Sequence, residues 1–313
     1  MRELKTACGT LHGVVFDRYY PNGRLQECTL VEENTVNTPV GKLIPQYADD
    51  GLRRKFTSSL SFYPGGALRK LSLHTQSVVQ TPCGAMPAEL LTFYDSGAVK
   101  RVFPLNGKIT GYWSEQNEYG LAKEAALDFP FGQICAKIIC MHFYESGAIK
   151  SLTFWPQEKP VVKTPCGDIQ IRVGLSLYEN GAVRSAEPLR PTTVSTPIGV
   201  LTAFDIDAIG VTGDANSLAF AQNGAVASFK TTKDSITVYQ KSGDAVERFE
   251  PALVQSHFSD DQPAIKPLDI AFQEGYVRFN GKKRFTIAEC RFKIEPFSRQ
   301  AAGNQCHGQC DIL

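Results

Sequence analysis

The sequence contains no long apolar run and almost no excess of charge of either sign. Its 33 Lys and Arg residues balance 32 Asp and Glu residues, which gives a formal net charge of +1. Broad electrostatic capture of nucleic acid or of an anionic membrane requires a large positive excess, so the composition argues against both functions. No run of about 18 apolar residues could span a bilayer, and the first residues lack the apolar core of a signal peptide. We therefore expect a cytoplasmic protein without a transmembrane segment, and contact with a membrane surface stays open.

The sequence also lacks the motifs that usually mark an enzyme. Its five His residues are scattered without an HExxH pattern, and neither a GxxxxGK[ST] phosphate loop nor a strand-GxGxxG-helix unit occurs. The nine Cys residues are an odd number spread over a long chain, unlike the dense, even frameworks of small secreted proteins. We expect mostly reduced thiols and no catalytic residues, although the paired carboxylates of an acid-base enzyme would need no motif.

What the sequence does contain is a repeat of two short motifs. An aromatic motif recurs six times and combines an aromatic start, a polar turn with Gly and a short apolar strand. Its copies are YYPNGRLQE, FYPGGALRK, FYDSGAVKR, FYESGAIKS, SLYENGAVRS and FAQNGAVAS. A turn motif precedes each copy, in the order TACGTL, TPVGKL, TPCGAM, FPFGQI, TPCGDI and TPIGVL. One turn motif and the aromatic motif after it form a module. In two of the six modules, an insertion separates the turn motif from the aromatic motif.

Each aromatic motif predicts a β-hairpin. Pro64 fits the first central position of a type I turn, and Gly66 provides the left-handed conformation of a bulge that closes a three-residue loop. In that register Tyr94 faces Ala98 across the strands, and the aromatic residues pack against their partners. The turn motif, as in residues 81–84, predicts a second tight turn, so that each module is two successive hairpins.

These hairpins predict an all-β protein, an elongated antiparallel meander of repeated hairpins with a small β-rich C-terminal cap. Residues 1–230 form the six-copy array. Residues 231–297 form a β-rich C-terminal region with a hairpin at Ser242-Gly243 and turn signals at Gly275 and Asn280-Gly281. The remaining residues, 298–313, are polar and small, and we expect a mobile tail.

The aromatic motifs resemble the variant MORN-type repeat (membrane occupation and recognition nexus), a bacterial form of which is also found in antitoxin-like components of toxin-antitoxin modules. The copies YYPNGRL, FYPGGAL, FYDSGAV, FYESGAI and LYENGAV carry the resemblance, which covers residues 1–230. It implies an extended repeat protein that binds partners and catalyses nothing. The TPxG turn and the longer module depart from the standard unit, so no partner or lipid specificity is carried over.

Basic residues supply the first candidate binding site. Four of them stand three positions after the turn Gly and would form one row if the modules stack in register, namely Arg69, Lys100, Lys150 and Arg184. Such a row could hold an acidic partner or a lipid headgroup. The alternative is a solvated face on which nearby acidic residues such as Asp95 and Glu145 balance the charge.

A second candidate lies in the segment GKITGYWSEQNEYGLAKE between modules three and four. Tyr112 and Trp113 would be interface anchors if this segment is an exposed loop. If it is instead a degenerate hairpin, these aromatic residues belong to the core.

A third candidate is a cluster of thiols near the C-terminus. Cys306, His307 and Cys310, with Cys290 as a fourth ligand, could hold zinc or form a redox-sensitive site. The paired CxxC knuckles of a typical zinc site are absent, so incidental thiols of a mobile tail are the competing interpretation.

The leading functional interpretation is a non-enzymatic repeat scaffold or binding module that recognises another macromolecule. A protein partner is expected, with an antitoxin-like role as one form of it, and no cofactor is required. The alternative is a metal-binding or thiol redox protein that acts through the C-terminal Cys and His residues.

Overall fold

A computed structural model of the chain describes residues 2–49, 51, 53–54, 56–208, 213–255 and 264–298. The protein is all-β and its strands follow one another as an antiparallel meander, which confirms the predicted fold class. The strands are β1 (Arg2–Thr6), β2 (Gly9–Tyr19), β3 (Leu25–Leu30), β4 (Val36–Thr38), β5 (Gly41–Leu43), β6 (Leu60–Phe62), β7 (Leu68–Thr81), β8 (Gly84–Phe93), β9 (Val99–Phe103), β10 (Glu124–Phe129), β11 (Gly132–Phe143), β12 (Ile149–Phe154), β13 (Val161–Thr164), β14 (Gly167–Leu177), β15 (Val183–Pro188), β16 (Thr192–Thr196), β17 (Gly199–Ala203), β18 (Leu218–Phe220), β19 (Val226–Thr231), β20 (Asp234–Gln240), β21 (Ala245–Phe249), β22 (Ala252–Val254), β23 (Ala264–Lys266), β24 (Leu268–Gln273), β25 (Tyr276–Phe279), β26 (Lys283–Thr286) and β27 (Cys290–Pro296). The described residues also include the helix α1 (Glu115–Leu121) and a 3₁₀ turn (Ile287–Glu289).

The chain divides into two compact units, each with its own meander. Unit 1 comprises Met1–Glu158 and Glu179–Gly181, and unit 2 comprises Lys159–Tyr178 and Ala182–Leu313. The meander of unit 1 pairs β1, β2, β3, β6, β7, β8, β9, β11 and β12 in that order, with β10 on β11 and β4–β5 as a separate hairpin. In unit 2 the order is β13, β14, β15, β18, β19, β24, β25 and β26, and β16–β17, β22–β23 and β21–β20–β27 form further small sheets.

The aromatic hairpins have the predicted register. The Tyr94 N–H donates to the Ala98 carbonyl oxygen at 2.8 Å, and the Gly97 N–H donates to the Tyr94 carbonyl oxygen at 3.0 Å. Gly97 has a φ of 91°, the left-handed conformation that the bulge requires. The same two bonds close the loops that start at Tyr20, Tyr63, Tyr144 and Ala221, and also the predicted C-terminal hairpin at Gln240. At the loop that starts at Tyr178, the Tyr178 N–H donates to the Ala182 carbonyl oxygen at 2.8 Å.

The threonine of the turn motif holds the turn together through its side-chain hydroxyl. The Thr81 Oγ1 donates to the Gly84 carbonyl oxygen at 2.8 Å and accepts from the Cys83 N–H at 3.2 Å. This hydroxyl therefore joins both sides of a two-residue turn. The same pair of bonds is made by Thr6, Thr38, Thr164 and Thr196.

Successive modules are joined by a proline-on-glycine contact. The proline of one turn motif lies against the hairpin glycine of the next module, in the pairs Pro39 with Gly97, Pro82 with Gly147, Pro130 with Gly181 and Pro165 with Gly224. A Cβ atom on Gly147 would lie 3.0 Å from the Pro82 Cγ, which is tighter than nine in ten real Cβ contacts. The hairpin glycine thus supplies both the positive φ and the space for the neighbouring turn.

The core of unit 1 follows the cross-strand register. One row of paired residues is almost fully buried and consists of Cys28, Leu60, Leu71, Leu91, Val102, Met141 and Leu152. Side chains alternate between the two faces of a sheet, so the next row along the strands lies on the opposite face. That row is polar and consists of Glu27, Ser61, Lys70, Thr92, Arg101, His142 and Ser151.

The segment between modules three and four is not a degenerate hairpin, so that alternative is wrong. It contains α1, which begins after Ser114 in a capping box. The Ser114 Oγ accepts from the Asn117 N–H at 3.1 Å, and the Asn117 side chain accepts from the Ser114 N–H at 3.0 Å.

Across the described part of the chain, no helix has the length and apolar character needed to cross a membrane.

Candidate functional site

The four predicted basic residues all lie over the tyrosine ring of their own hairpin. The distance from the charged group to the ring centroid is 5.8 Å for Arg69 and Tyr63, 5.2 Å for Lys100 and Tyr94, 5.4 Å for Lys150 and Tyr144, and 5.9 Å for Arg184 and Tyr178. Such cation–π contacts are worth about 0.5–1 kcal/mol at exposed sites. The tyrosines therefore hold the basic side chains against the sheet instead of leaving them to extend into solvent.

The tyrosine rings are themselves fixed by a hydrogen bond to the following module. The Tyr63 hydroxyl donates to the Phe93 carbonyl oxygen at 2.9 Å, and the Tyr94 hydroxyl donates to the Phe143 carbonyl oxygen at 2.8 Å. Tyr20 and Tyr178 make the equivalent bonds to Phe62 and Phe220. The second aromatic position of the motif consequently links modules as well as packing within one.

Modules two and three each carry a second basic residue, which is not part of the predicted row. Lys70 follows Arg69, and Arg101 follows Lys100. The register pairs Lys70 with Thr92, and Thr92 with Arg101, so the two additional residues share one face of the sheet. The doublets RK and KR were the signal in the sequence, since modules four and five have a single basic residue followed by Ser.

The two basic doublets line one groove of about 370 Å³ in unit 1, together with polar side chains that include Ser58, Ser61 and Thr92. We call this the basic groove, defined by Arg69, Lys70, Lys100 and Arg101. The acidic residue in its lining is Glu27, whose carboxylate lies 3.3 Å from the Arg18 guanidinium. The groove therefore carries a clear positive excess although the whole chain is nearly neutral.

Three of the four cations of the basic groove lack an ion-pair partner among the described residues. Among the described residues, no carboxylate forms an ion pair with Arg69, Lys70 or Lys100. The Thr92 Oγ1 is buried and has no hydrogen-bond partner among those residues. Arg69, Lys70 and Lys100 are thus available to an anionic group in the groove.

The other two predicted basic residues lie elsewhere. Lys150 belongs to the next hairpin of unit 1 and is outside the lining of the groove, whereas Arg184 belongs to unit 2. Thus Arg69 and Lys100 are the members of the predicted row that the groove brings together.

Tyr112 and Trp113 have different environments. Tyr112 is 84% exposed, while the Trp113 Nε1 donates to the Glu118 carboxylate at 2.7 Å. Glu118 also accepts from the Arg53 guanidinium, which reaches Glu89 as well. Trp113 therefore helps to fix the segment around α1 to unit 1, and Tyr112 is the exposed member of the pair.

The thiol cluster falls mostly outside the described residues. Cys306, His307 and Cys310 lie in 299–313, as does nearly all of the predicted mobile tail, and only Cys290 is within the description. Burial raises the pKa of the Cys290 thiol, and the negative charge of Glu289 adds to this shift. No group of three or more His, Cys, Asp and Glu residues within the described ranges is arranged to hold a metal ion.

Unit 2 contains a pair of buried carboxylates. The Glu187 carboxylate accepts from the Ser217 Oγ at 2.6 Å and the Ser217 N–H at 2.8 Å, and the Asp205 carboxylate lies 3.3 Å from the Lys230 ammonium. Burial raises the pKa of Glu187, although the Ser217 bonds and the Arg172 charge oppose this effect. These groups are held mainly by each other, which is typical of a structural polar cluster.

A comparison with protein-family models finds none that matches the chain, and a search of curated proteins finds no match. The resemblance of the aromatic motifs to the variant MORN-type repeat stays a prediction.

Proposed function

We propose that the protein is a non-enzymatic binding module whose basic groove recognises an acidic segment of another protein. The observation that carries this proposal is the convergence of four cations on one groove, in which Arg69, Lys70 and Lys100 form no ion pair with a described carboxylate. An ion pair between solvated side chains contributes only about 0–1 kcal/mol, so a single cation would mean little. Four cations on β7 and β9, the two strands that flank β8, favour a ligand with several negative charges.

The rigidity of the groove supports an acidic protein segment as the ligand. The Tyr63 and Tyr94 rings are fixed by hydrogen bonds to carbonyl groups, and the cations above them need little further ordering on binding. Arginine also pairs with carboxylates through two parallel hydrogen bonds, which gives geometric selectivity. An antitoxin-like protein would use such a surface to hold its partner.

Binding of a labelled oligoglutamate peptide, followed by fluorescence anisotropy, tests the proposal. The change is the quadruple replacement R69S/K70S/K100S/R101S, and we expect at least about a tenfold loss of affinity, which corresponds to about 1.4 kcal/mol. Binding by the original protein should weaken as salt is raised, because solvated charges are screened. An oligoglutamine peptide is the ligand control and should bind neither protein.

The matched protein control is K42S/K123S/K163S/K266S, which likewise removes four positive charges, all from exposed lysines outside the groove. It should bind oligoglutamate as the original protein does. Equal affinity of the groove variant and the control would show that the groove is only a solvated face. Affinity capture of partners from the native host, compared between these same two variants, would then identify the natural ligand.

A further inference from the structure

One module lacks its proline-on-glycine contact, and a cavity lies at that place. By the order of the other pairs, the turn of module one should lie against Gly66 in the hairpin of module two. Module one has Ala7 where the other turns have proline. The atom within 4 Å of the Cβ position on Gly66 is the Arg24 Nη1, at 3.4 Å, and none belongs to Ala7, whereas Pro82 comes within 3.0 Å at the equivalent position on Gly147.

The resulting cavity has a volume of about 670 Å³ and an apolar wall. Ala7 and Gly66 line it, together with Leu4, Leu25 and Phe62. We call this the vacant seat. Its volume is within the range of about 300–1,000 Å³ that is typical of ligand sites, and it has room for a whole turn.

The last turn motif provides a matching projection. Pro197 is exposed, and no described atom lies within 4 Å of the Cβ position on Gly243, the glycine of the following hairpin. The adjacent Val200 is 60% exposed, so the turn presents apolar surface. Its other side is anchored, since Ile198 is buried and the Ile294 Cδ1 would lie 2.8 Å from a Cβ on Gly199.

We propose that the vacant seat of one molecule binds the Pro197 turn of a second copy of this chain. The occupant is argued from the molecule itself, because the same Thr-Pro-x-Gly turn already lies against a hairpin glycine in the contacts at Pro39, Pro82 and Pro165. The association would continue the existing packing of modules from one molecule to the next. Seat and projection are different surfaces, so the contact is heterologous and generates a ring or an open chain.

Sedimentation velocity over a range of protein concentrations tests this proposal. The original chain, of 34.4 kDa, should show a mass that rises with concentration. A7P restores the missing proline and fills the seat, while P197A removes the projection, and each variant alone should remain monomeric. P191A replaces an exposed proline outside any turn motif and should associate as the original chain does.

A mixture of the two blocked variants gives the most selective result. The A7P chain retains the projection and the P197A chain retains the seat, so an equimolar mixture should form a heterodimer and nothing larger. If A7P does not fold, K5W serves instead, because Lys5 is exposed and lines the seat.

Three outcomes would overturn the proposal. The first is a monomeric original chain up to about 100 μM, where micromolar affinity would be evident. The second is undiminished association of P197A. The third is association of folded A7P or K5W, which would place the contact outside the seat. The groove variant R69S/K70S/K100S/R101S should associate normally, so failure of this proposal is separable from failure of the proposed function.

Discussion

The ion-pair cluster at Arg53 permits a quantitative test of how the non-repeated segments are held to unit 1. The Arg53 guanidinium bonds both oxygens of Glu89 at 2.8 Å and both oxygens of Glu118 at 2.9 Å. The side chains of these residues are 17%, 5% and 3% exposed, respectively. Burial lowers the pKa of Arg53, but the bonds and charges of Glu89 and Glu118 outweigh it and raise the pKa overall, so the guanidinium stays charged.

Replacing Arg53 by Met should lower the free energy of unfolding of unit 1 by about 3–5 kcal/mol, because two buried carboxylates lose their counter-charge. Backbone N–H groups of Asn106 and Gly107 still donate to these carboxylates, which keeps the loss inside that range instead of above it. The free energy of unfolding of R53K should lie between those of the original protein and R53M, since one ammonium cannot make four directed bonds.

Urea unfolding followed by tryptophan fluorescence is the assay. The chain has two Trp residues, Trp113 and Trp155, and both belong to unit 1, so the signal reports on this unit alone. R69M is the matched control, because it removes an exposed cation and should cost less than about 1 kcal/mol. A loss below 1 kcal/mol for R53M, or equal losses for R53M and R69M, would refute the reasoning.

Three further predictions concern the contacts within the modules and the buried carboxylate of unit 2. Y63F removes the bond to the Phe93 carbonyl and should cost about 1 kcal/mol in the same fluorescence assay, and no loss would mean that water replaces the bond. G147A should cost about 2 kcal/mol or more, because the residue has a φ of 94° and its Cβ would contact Pro82. Adding P82A to G147A should recover only the part of this loss that the contact with Pro82 causes. Because the pKa of Glu187 is raised in the folded state, its stabilising contribution is complete below its ordinary value of 4.5 and is lost as pH rises through the raised pKa. E187Q should therefore flatten the decline of unit 2 stability with pH, measured by circular dichroism in urea, and an unchanged slope would contradict this assignment.

The hairpins were predictable because their determinants are local. The loop register depends on one glycine and the residues beside it, and six copies at regular spacing make that local signal repeat. The helix α1 was missed since a seven-residue helix has little periodicity of its own, although Ser114 and Asn117 mark its start. In a sequence dominated by strand signals, a capping box of four residues was the only local indication.

The groove was only half predictable because it depends on pairing between modules. Arg69 and Lys100 were identified from their common position after the turn glycine. Their neighbours Lys70 and Arg101 join them through the pairing of β6 with β7, β7 with β8 and β8 with β9, which no local pattern specifies. Likewise, Arg53 lies 65 positions from Glu118 in sequence, so their contact required the folded structure.

The contacts between modules explain why the side chains that follow the turn can differ from module to module. Tyr hydroxyls and Thr hydroxyls donate to backbone carbonyl groups, and the prolines lie on glycines, so the stack hardly depends on the side chains that follow the turn. At the third and fourth positions after the hairpin glycine the modules read QE, RK, KR, KS, RS and AS in order. Charge thus changes along the array while the hairpin register is preserved. The two doublets of basic residues fall in adjacent modules of unit 1, and this adjacency, more than the number of cations, creates a groove with a positive excess.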